Sequence, residues 1–386
     1  MTITTSALPK KINYKNVSND FKISKKSSTV NYLTIGYKIL VSNSTKPDNR
    51  TNEKILTGNT NTTRAVNSLD KLPNRTANNS KTNNVTVKPG NVSLTTDNTR
   101  AEKSSNGSTS DMKRNVTLYV TSADLTKGRL GNQMFTYASL LGIARAQNRR
   151  FVVSPGSDLQ NTFKLLHVAQ MQDSGGWQVV REKHAYAFDT RLLNLTKENI
   201  SIGGYLQSYK YFKDYADEVR QEFLFSDSIA NEAYLIVHNL ISERKGNLFV
   251  GVHIRRGDFL NGGNPKLGYG VPEKSYFLKA FKWMQSKFPN RNITYLVASD
   301  DLNWCNDNLK SDNVLALPNA PPAIHMAILS SCDHVIMSGG TYGWWSSFLA
   351  GGYVVYFKGF MSKGTTFGDS FNPETYYPPL WVGMEN

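Results

Sequence analysis

LFVGVHIRRGD, at residues 248–258, joins a mainly apolar run to a cluster of charged side chains. Such a run is typical of a strand that is buried on both faces of a parallel sheet. In open parallel sheets, ligands bind at the carboxyl ends of the strands, which is where His253, Arg255 and Arg256 fall. A guanidinium can hold a phosphate through two parallel hydrogen bonds, and it stays charged at any working pH. We therefore expect an anionic ligand here, with an interdomain salt bridge as the alternative.

Apolar runs and helical periods alternate on both sides of this segment. Residues 116–121 predict a strand, and a loop at 127–132 leads into a predicted helix of about four turns. Apolar residues recur on one face of that helix at i, i+3 and i+4 spacing: Met134, Tyr137, Ala138, Leu141 and Ala144. Further strands are predicted at 151–154, 248–254, 293–298, 314–317, 335–337 and 353–357, and helices at 322–331 and 344–350. This alternation indicates an α/β fold with parallel sheets covered on both faces.

Two such units predict two Rossmann-like domains that face a cleft, at residues 115–240 and 241–386. The preceding segment, 1–114, is rich in Asn, Ser, Thr and Lys and poor in aromatic residues. It offers too little apolar area to offset its chain entropy, so we expect it to be disordered. Ten Asn-x-Ser/Thr sequons begin between Asn16 and Asn115, by chance of composition or because the segment is a glycosylated spacer. Three more lie in the ordered part, at Asn194, Asn199 and Asn292, which are candidate glycosylation sites.

The basic charge of the chain belongs to its leading segment. Residues 1–114 hold 19 Lys and Arg against 7 Asp and Glu, and the rest holds 26 against 23. No nucleic-acid-binding module accompanies that charge, so we do not expect a nucleic-acid partner. The two cysteines, Cys305 and Cys332, are either one bridge or two buried thiols.

Two glycine-containing segments between a strand and a helix are further candidates for the site. The first, GRLGNQMF at 128–135, contains Gly131, Asn132 and Gln133. The second, MSGGTYGWW at 337–345, contains Gly340, Thr341, Tyr342 and Gly343. Glycines let the backbone approach a ligand and present free N–H groups at the helix N-terminus. Asn132 is alternatively a simple helix cap.

The remaining candidate carboxylate is Asp300, at the end of the predicted strand 293–298. It suits a guanine edge or a ribose, or it caps the next helix. The chain has no Asp-x-Asp pair to hold a divalent ion, and its six histidines show no metal-ligand spacing. Hydrolase, zinc-protease and P-loop motifs are also missing. We therefore expect no metal and no other cofactor.

Four segments together resemble, in order, the motifs of the inverting α-1,2-fucosyltransferases. They are residues 128–135, 253–258, 298–301 and 338–352, and the closing YPPLWVG at 377–383 is also similar to that family's end. The resemblance covers about residues 120–386. It implies a GT-B-type architecture and a glycosyltransferase that moves L-fucose from GDP-fucose to the 2-hydroxyl of a terminal β-galactoside. It also implies inversion at the fucose carbon without a metal.

The resemblance further implies roles for single residues. Arg255 would hold the β-phosphate, with Arg256 near it or bracing the loop. His253 and Asp300 would meet the guanosine. The pyrophosphate and the fucose would be lined by three residues: Gly131, Asn132 and Thr341. The wider substrate-binding set adds Gln133, Gly340, Tyr342 and Gly343.

For the reaction itself we expect direct displacement, with Arg255, Asp258 and Asn132 as the catalytic residues. Arg255 would stabilise the charge that grows on the β-phosphate. Asp258 is the candidate base for the acceptor hydroxyl. If it pairs with an arginine instead, its pKa falls and it becomes a poor base.

Two features depart from the family. His325 stands where the family usually has an acidic residue, which leaves any acceptor role there open. The family is anchored in the Golgi membrane as type II proteins, but no stretch here supplies the 20 or so apolar residues of a spanning helix. Alternatives left open are a fucosyltransferase for protein or N-glycan core and a non-catalytic sugar-nucleotide-binding module.

Overall fold

A computed structural model describes residues 117–153, 156–168, 176–244 and 247–386. The predicted disorder of residues 1–114 lies outside the described residues. Within them the chain folds into two parallel β-sheets covered by helices. The predicted α/β class with two parallel sheets is therefore confirmed.

The first sheet has the strand order β2-β1-β4-β3, and every pairing is parallel. Its strands are β1 Tyr119–Thr121, β2 Arg150–Phe151, β3 Gln178–Arg181 and β4 Ile200–Gly203. All four residues of β4 are buried, whereas three of the four in the edge strand β3 are exposed. The centre of this sheet therefore lies at β1 and β4, whose carboxyl ends point toward the same edge.

The second sheet is larger and has the order β10-β9-β8-β5-β6-β7, again all parallel. Its strands are β5 Leu248–Ile254, β6 Ile293–Ser299, β7 Val314–Ala316, β8 His334–Met337, β9 Val354–Phe357 and β10 Val382–Met384. The chain first builds outward from β5 to β7, then returns to the other side of β5. This is the strand order of a Rossmann fold, and its reversal between β5 and β8 is where such sheets bind ligands.

Helices cover both sheets and connect the strands. The α-helices are α1 Leu130–Ala146, α2 Asp158–Thr162, α3 Ala216–Glu222, α4 Asp227–Ile241, α5 Gly257–Leu260, α6 Asn264–Leu267, α7 Lys274–Lys287, α8 Leu302–Leu309, α9 Pro322–Ser331, α10 Gly340–Ala350 and α11 Pro373–Tyr376. Short 3₁₀ helices lie at Thr190–Leu193, Tyr209–Tyr211, Lys213–Tyr215 and Lys358–Phe360. The predicted bounds of β5 and α9 are confirmed to the residue.

The predicted glycine loops are shorter than expected, because each helix begins earlier. α1 begins at Leu130, so Gly131 and Asn132 belong to its first turn. α10 begins at Gly340 rather than at the predicted Trp344. Both glycine segments therefore present the first turn of a helix, where backbone N–H groups have no acceptor within the helix.

An aromatic cluster joins α1 to α10. Phe135 packs against Trp344 and Trp345 with ring-centroid separations of 4.6 and 5.1 Å, and Phe212 stacks on Trp345 at 5.6 Å. All four side chains are fully buried. Large buried aromatic surfaces dominate packing energies, so this cluster fixes the two glycine segments relative to each other.

The predicted domain boundary at residues 240 and 241 falls within α4. That helix packs its Ala230, Ala233 and Val237 into the core of the second sheet. The boundary stays a prediction, and this packing favours a position before Asp227.

The two cysteines are both buried and form no disulfide. Cys305 lies in the core under α7, and Cys332 lies in the core under α4 and α9. These cores cover opposite faces of the second sheet. The interpretation as two buried thiols is therefore the one that fits, because the sheet separates them.

Candidate active site

A cavity of about 810 Å³ opens where the carboxyl ends of the two sheets meet. Nine of the residues predicted for the site line it: Gly131, Asn132, His253, Arg255, Asp258, Asp300, Gly340, Thr341 and Tyr342. Three predicted residues, Gln133, Arg256 and Gly343, do not. The reversal point between β5 and β8 forms the floor of this cavity.

Arg255 follows the last residue of β5 and is held from several sides. Its Nε and Nη2 donate to Asp258 at 2.9 and 2.6 Å, and its guanidinium carbon lies 4.2 Å from the centre of the Phe259 ring. Its backbone N–H donates to Ser338 Oγ at 2.9 Å. Nη1 has no hydrogen-bond acceptor among the described residues. This nitrogen therefore presents a fixed positive donor to the cavity.

The Asp258 carboxylate is paired with arginines rather than free to act as a base. Besides Arg255, the Nη2 of Arg129 donates to its Oδ2 at 2.7 Å. The hydrogen bonds from Arg255 and then from Arg129 lower the pKa of the Asp258 carboxyl to about 2. A carboxylate this acidic is a weak base. Its geometry suits bracing of Arg255.

Arg256 turns away from the cavity. Its guanidinium carbon lies 4.0 Å from the centre of the Trp304 ring, and it donates to Asp301 Oδ2 and the Pro272 carbonyl at 3.3 Å each. Its backbone N–H donates to Asp300 Oδ1 at 2.8 Å. Of the two placements implied by the resemblance, the structure has the one in which Arg256 braces the loop.

The first turn of α10 lies directly beside Arg255. Gly340 has φ of 78°, a left-handed conformation that favours glycine, and a Cβ there would lie 3.4 Å from Arg255 Nη1. The helix therefore directs its N-terminal N–H groups to the same space as the guanidinium. Together they form an anion site of the kind found at helix N-termini.

His253 is the penultimate residue of β5 and is buried beneath this helix. Burial, and secondarily the charge of Arg255, lowers the pKa of its imidazole to about 3. The ring is therefore neutral at physiological pH, and its Nδ1 has no hydrogen-bond partner. Gly343 lies against the ring, where a Cβ would come 3.0 Å from Cε1. Gly343 thus provides room for His253, although it does not line the cavity.

A hydrogen-bond chain crosses the cavity wall from the second sheet to the first. Thr341 Oγ1 donates to Asn132 Oδ1 at 2.8 Å, and Gln207 Nε2 donates to the same oxygen at 3.2 Å. Gly131 permits this approach, since a Cβ there would lie 2.8 Å from the backbone carbon of Thr341. Asn132 is therefore a junction between the two sheets as well as a cavity residue, and it lies in the first turn of α1, whose N-cap residue is Arg129.

Gln133 is buried and acts behind the cavity. Its Nε2 donates to the Gly128 carbonyl at 3.1 Å and to Asp158 Oδ2 at 3.0 Å, while its Oε1 accepts from the Asp158 N–H at 3.2 Å. Asp158 itself lines the cavity. Gln133 therefore holds the 128–132 segment and Asp158 in position.

Asp300 and His325 lie at the rim of the same cavity. Asp300 is exposed and accepts one hydrogen bond, from the Arg256 N–H. His325 contacts the Pro318 carbonyl at 2.8 Å through Nε2. Both side chains remain accessible to a ligand.

The sequence prediction missed most of the wall contributed by the first sheet and by the loops beside it. That wall contains Asp158, Tyr186, Tyr205, Gln207, Asn264, Tyr269 and Phe367. These residues are separated by long stretches of chain and form no local motif.

Neither a metal cluster nor a membrane helix occurs in the part of the chain that the structure describes. Across residues 117–386, apart from the undescribed gaps, no three His, Cys, Asp or Glu side chains are grouped to hold a metal ion. Likewise, no helix in these ranges is both long and apolar enough to cross a membrane.

The fold and the cavity define an α/β protein with a cavity, suited to anionic groups, at the reversal point of a Rossmann-type sheet. The sequence matches Glycosyl transferase family 11 over residues 94–385. The chain therefore belongs to this family of α-1,2-fucosyltransferases, and it is a glycosyltransferase. The resemblance of its four motifs is confirmed.

Individual relatives agree with this assignment. Galactoside alpha-(1,2)-fucosyltransferase 1 of Saimiri boliviensis boliviensis is 30% identical over 270 residues, which cover 67% of this chain and 73% of that protein. The protein of the same name from Leontocebus fuscicollis has the same identity and coverage.

Two solved structures are more distant. A mutant of Arabidopsis thaliana FUT1 in complex with GDP has a TM-score of 0.44 and 12% identity, covering 64% of this chain and 71% of that chain. NodZ alpha-1,6-fucosyltransferase soaked with GDP-fucose has a TM-score of 0.42 and 14% identity, covering 61% and 93%. The family assignment rests on the sequence matches.

Proposed function

We propose that this chain transfers L-fucose from GDP-fucose to the 2-hydroxyl of a terminal β-galactoside, with inversion and without a metal. The observation that carries the proposal is the fixed Nη1 of Arg255 beside the N-terminus of α10. A sugar nucleotide leaves as a diphosphate, and this pair of groups matches the negative charge of its departing phosphate. The names of the family and of its galactoside-fucosylating relatives supply the sugar and the linkage.

Arg255 acts on the leaving group in this mechanism. As the bond from fucose to GDP stretches, charge grows on the β-phosphate oxygen. The guanidinium and the N–H groups of the first turn of α10 stabilise that charge more strongly than they stabilise the bound donor, which lowers the barrier. Because Asp258 already fixes Nε and Nη2, little reorganisation is needed when the charge appears.

Asp258 has a positioning role in this scheme. Its pKa of about 2 makes it a poor acceptor for the proton of the 2-hydroxyl. With a loose, oxocarbenium-like transition state, the hydroxyl loses its proton late and needs no strong base. Asn132 then orients the sugar next to the phosphate, since its Oδ1 is already engaged by Thr341 and Gln207.

The nucleoside end of GDP-fucose is assigned to His253 and Asp300, at the carboxyl ends of β5 and β6. His253 is neutral and lines the cavity, and the exposed Asp300 carboxylate accepts from N–H or O–H donors of a guanine or ribose. The Tyr342 ring packs against His253 in a tilted arrangement, with ring centroids 5.3 Å apart. These groups suit a purine nucleotide, whose edge supplies both donors and acceptors.

The test uses the full chain with GDP-fucose and phenyl β-D-galactoside, in excess EDTA and in parallel with added Mg²⁺. GDP release is followed, and the product linkage and anomeric configuration are determined by NMR. An α-fucoside on the 2-hydroxyl at equal rates in both samples is the expected result. GDP release without this product would move the acceptor to protein or N-glycan core. Binding of GDP-fucose without turnover would favour a non-catalytic module.

We also propose that the protein works in the Golgi lumen as a glycoprotein. Support comes from family resemblance and from the exposed side chains of Asn194 and Asn292. Asn199 is partly buried, and its Oδ1 accepts from the Tyr119 N–H at 3.0 Å. Loss of the gel shift on glycosidase treatment in Asn194→Gln and Asn292→Gln would identify the modified sites, and co-localisation with Golgi markers tests the compartment.

A further inference from the structure

Gln207 is a buried amide in the cavity wall that the predicted site did not include. It lies on the loop after β4, only 2% of its surface is exposed, and it lines the cavity. Buried polar side chains are normally fully hydrogen-bonded, so an unsatisfied one points to a missing partner.

The orientation of the Gln207 amide is set by its neighbours. Its Nε2 donates to Asn132 Oδ1, which also accepts from Thr341 Oγ1. Turning the amide over would place two oxygens against each other. The Gln207 Oε1 therefore faces the other way, and it has no hydrogen-bond partner. A buried acceptor without a donor is unfavourable, and a ligand hydroxyl in the cavity would remove that penalty.

The loop that carries Gln207 is held on both sides. Glu182 accepts from the Tyr205 and Leu206 N–H groups at 2.6 and 3.0 Å, and Ser208 Oγ donates to the Thr375 carbonyl at 2.6 Å. Leu206 has φ of 50°, which only surrounding contacts maintain in a residue with a side chain. The backbone that carries Gln207 is therefore held in place, and its amide is held by the bond from Nε2 to Asn132.

We propose that Gln207 binds the acceptor sugar through a hydrogen bond from one of its unreactive ring hydroxyls to Oε1. The inference rests on the proposed function and names the contact that orients the galactoside. Gln207 follows a strand of the first sheet, whereas Arg255 and the first turn of α10, which face the phosphate, follow strands of the second sheet. Asn132, which orients the fucose, connects Gln207 to Thr341 of α10 by accepting from both, so we favour the acceptor over the donor as the partner of Gln207. A galactoside supplies hydroxyl donors at three positions besides the one that reacts.

The test compares wild type, Gln207→Leu and Gln207→Met on β-galactosides lacking single hydroxyls at positions 3, 4 or 6. With the complete acceptor and saturating GDP-fucose, we expect both variants to lose about 10- to 100-fold in kcat/KM, the effect of one well-placed hydrogen bond. One of the three deoxy acceptors should cost wild type a similar factor and cost the variants nothing further. The KM for GDP-fucose and its slow hydrolysis should change less than about twofold.

Gln221→Leu is the matched control, because Gln221 is exposed and lies outside the cavity. Thermal melting and GDP binding establish that each variant is folded. Equal kcat/KM in wild type and both variants would overturn the inference, and so would the same loss with every deoxy acceptor. A rise in the KM for GDP-fucose by the same factor would place the contact on the donor instead. If wild type transfers no fucose at all, the proposed function fails before this inference is reached.

Discussion

The two sheets meet at one cavity, yet their edges are built in different ways. At the edge of the second sheet, the groups that face an anion come directly after strands, as Arg255 follows β5 and Gly340 follows β8. At the edge of the first sheet, Gly131 and Asn132 also belong to a local motif, but most of the wall consists of single side chains from separate loops, such as Tyr186, Tyr205 and Gln207. The first edge is thus local in sequence, and most of the second is not.

The difference follows from what each edge is proposed to bind. A phosphate needs a permanent positive charge and free backbone N–H groups in a fixed geometry, and few residue types at few positions can supply these. A sugar needs hydroxyl and amide contacts of modest strength, which many residues supply from many places in the chain. We therefore expect substitutions at the second edge to affect catalysis sharply and those at the first edge to affect acceptor use.

Arg255→Ala should give the largest effect. Removing an aimed donor to a developing charge typically lowers kcat by about 10²–10³-fold. Arg255→Lys should recover only part, since an ammonium cannot keep the two bonds to Asp258 and also reach the phosphate. Turnover of GDP-fucose is the measurement. Arg244→Ala, an arginine outside the cavity, is the control, and near-normal turnover in folded Arg255→Ala would refute the role.

Gly131→Ala tests whether the close contact between α1 and α10, which joins the edges of the two sheets, is required. A Cβ at this position would lie 2.8 Å from backbone atoms of Thr341, so α1 and α10 must separate. Overpacking of this kind costs about 1–3 kcal/mol, and we expect an order-of-magnitude loss of turnover with it. Gly263→Ala is matched, because a Cβ there meets nothing within 4 Å and its φ is −85°. Equal melting temperatures for the two variants would contradict the close packing.

Asp258→Asn distinguishes a brace from a base. If Asp258 braces Arg255, we expect a loss of roughly tenfold, whereas loss of a general base typically costs 10²–10⁴-fold. Because its pKa is about 2, Asp258 stays ionised in the wild-type protein throughout the range from pH 5 to 9. The wild-type rate should therefore show no acidic limb from this group above pH 4. An acidic limb near pH 6 in the wild-type rate that disappears in Asp258→Asn would show that Asp258 acts as a general base.

Glu182→Gln should have the smallest effect on fucose transfer. Glu182 acts only at the edge of the first sheet, on the loop after β4. Burial raises the pKa of the Glu182 carboxyl from 4.5 to about 7. The folded state therefore keeps a proton that the unfolded chain releases between about pH 4.5 and 7. Stability should fall as pH rises through that window, by at most about 3 kcal/mol.

Denaturant unfolding at pH 5 and pH 8 measures this dependence. Glu182→Gln should lose it, whereas the exposed Glu198→Gln should keep it. A wild-type stability that rises with pH over this window would show that the backbone N–H groups of Tyr205 and Leu206 hold Glu182 ionised. In that case the loop that carries Gln207 would be anchored by a charge.

The strands and helices that follow strong patterns were predictable. β5 is a run of seven buried residues and was predicted from Leu248 to Ile254, and α9 begins at the proline that sequence placed in its first turn. β3 and β4 were missed. β3 is a short edge strand whose Val179 is exposed, so it lacks the alternation that marks a half-buried strand.

The candidate site divides in the same way. The sequence located Arg255 and the glycine segments, because their charge and backbone freedom are properties of the residues themselves. Residue chemistry did not distinguish Arg255 from Arg256, although the resemblance gave the β-phosphate to Arg255 and left Arg256 either near it or bracing the loop. Adjacent residues at the end of a strand point to opposite sides of the sheet. Only the structure shows that Arg256 packs on Trp304 while Arg255 faces the cavity.

By itself, the sequence determined the α/β class, the anion-binding segments and, through its motifs, the family. These depend on short-range periodicity and on residue chemistry that a local stretch carries. The tertiary structure alone decided that Asp258 is held by two arginines, that Gln133 supports rather than lines the cavity, and that Gln207 lines it and has a buried acceptor without a partner. Those facts depend on distances between residues far apart in the chain, which are fixed only when the two sheets pack together.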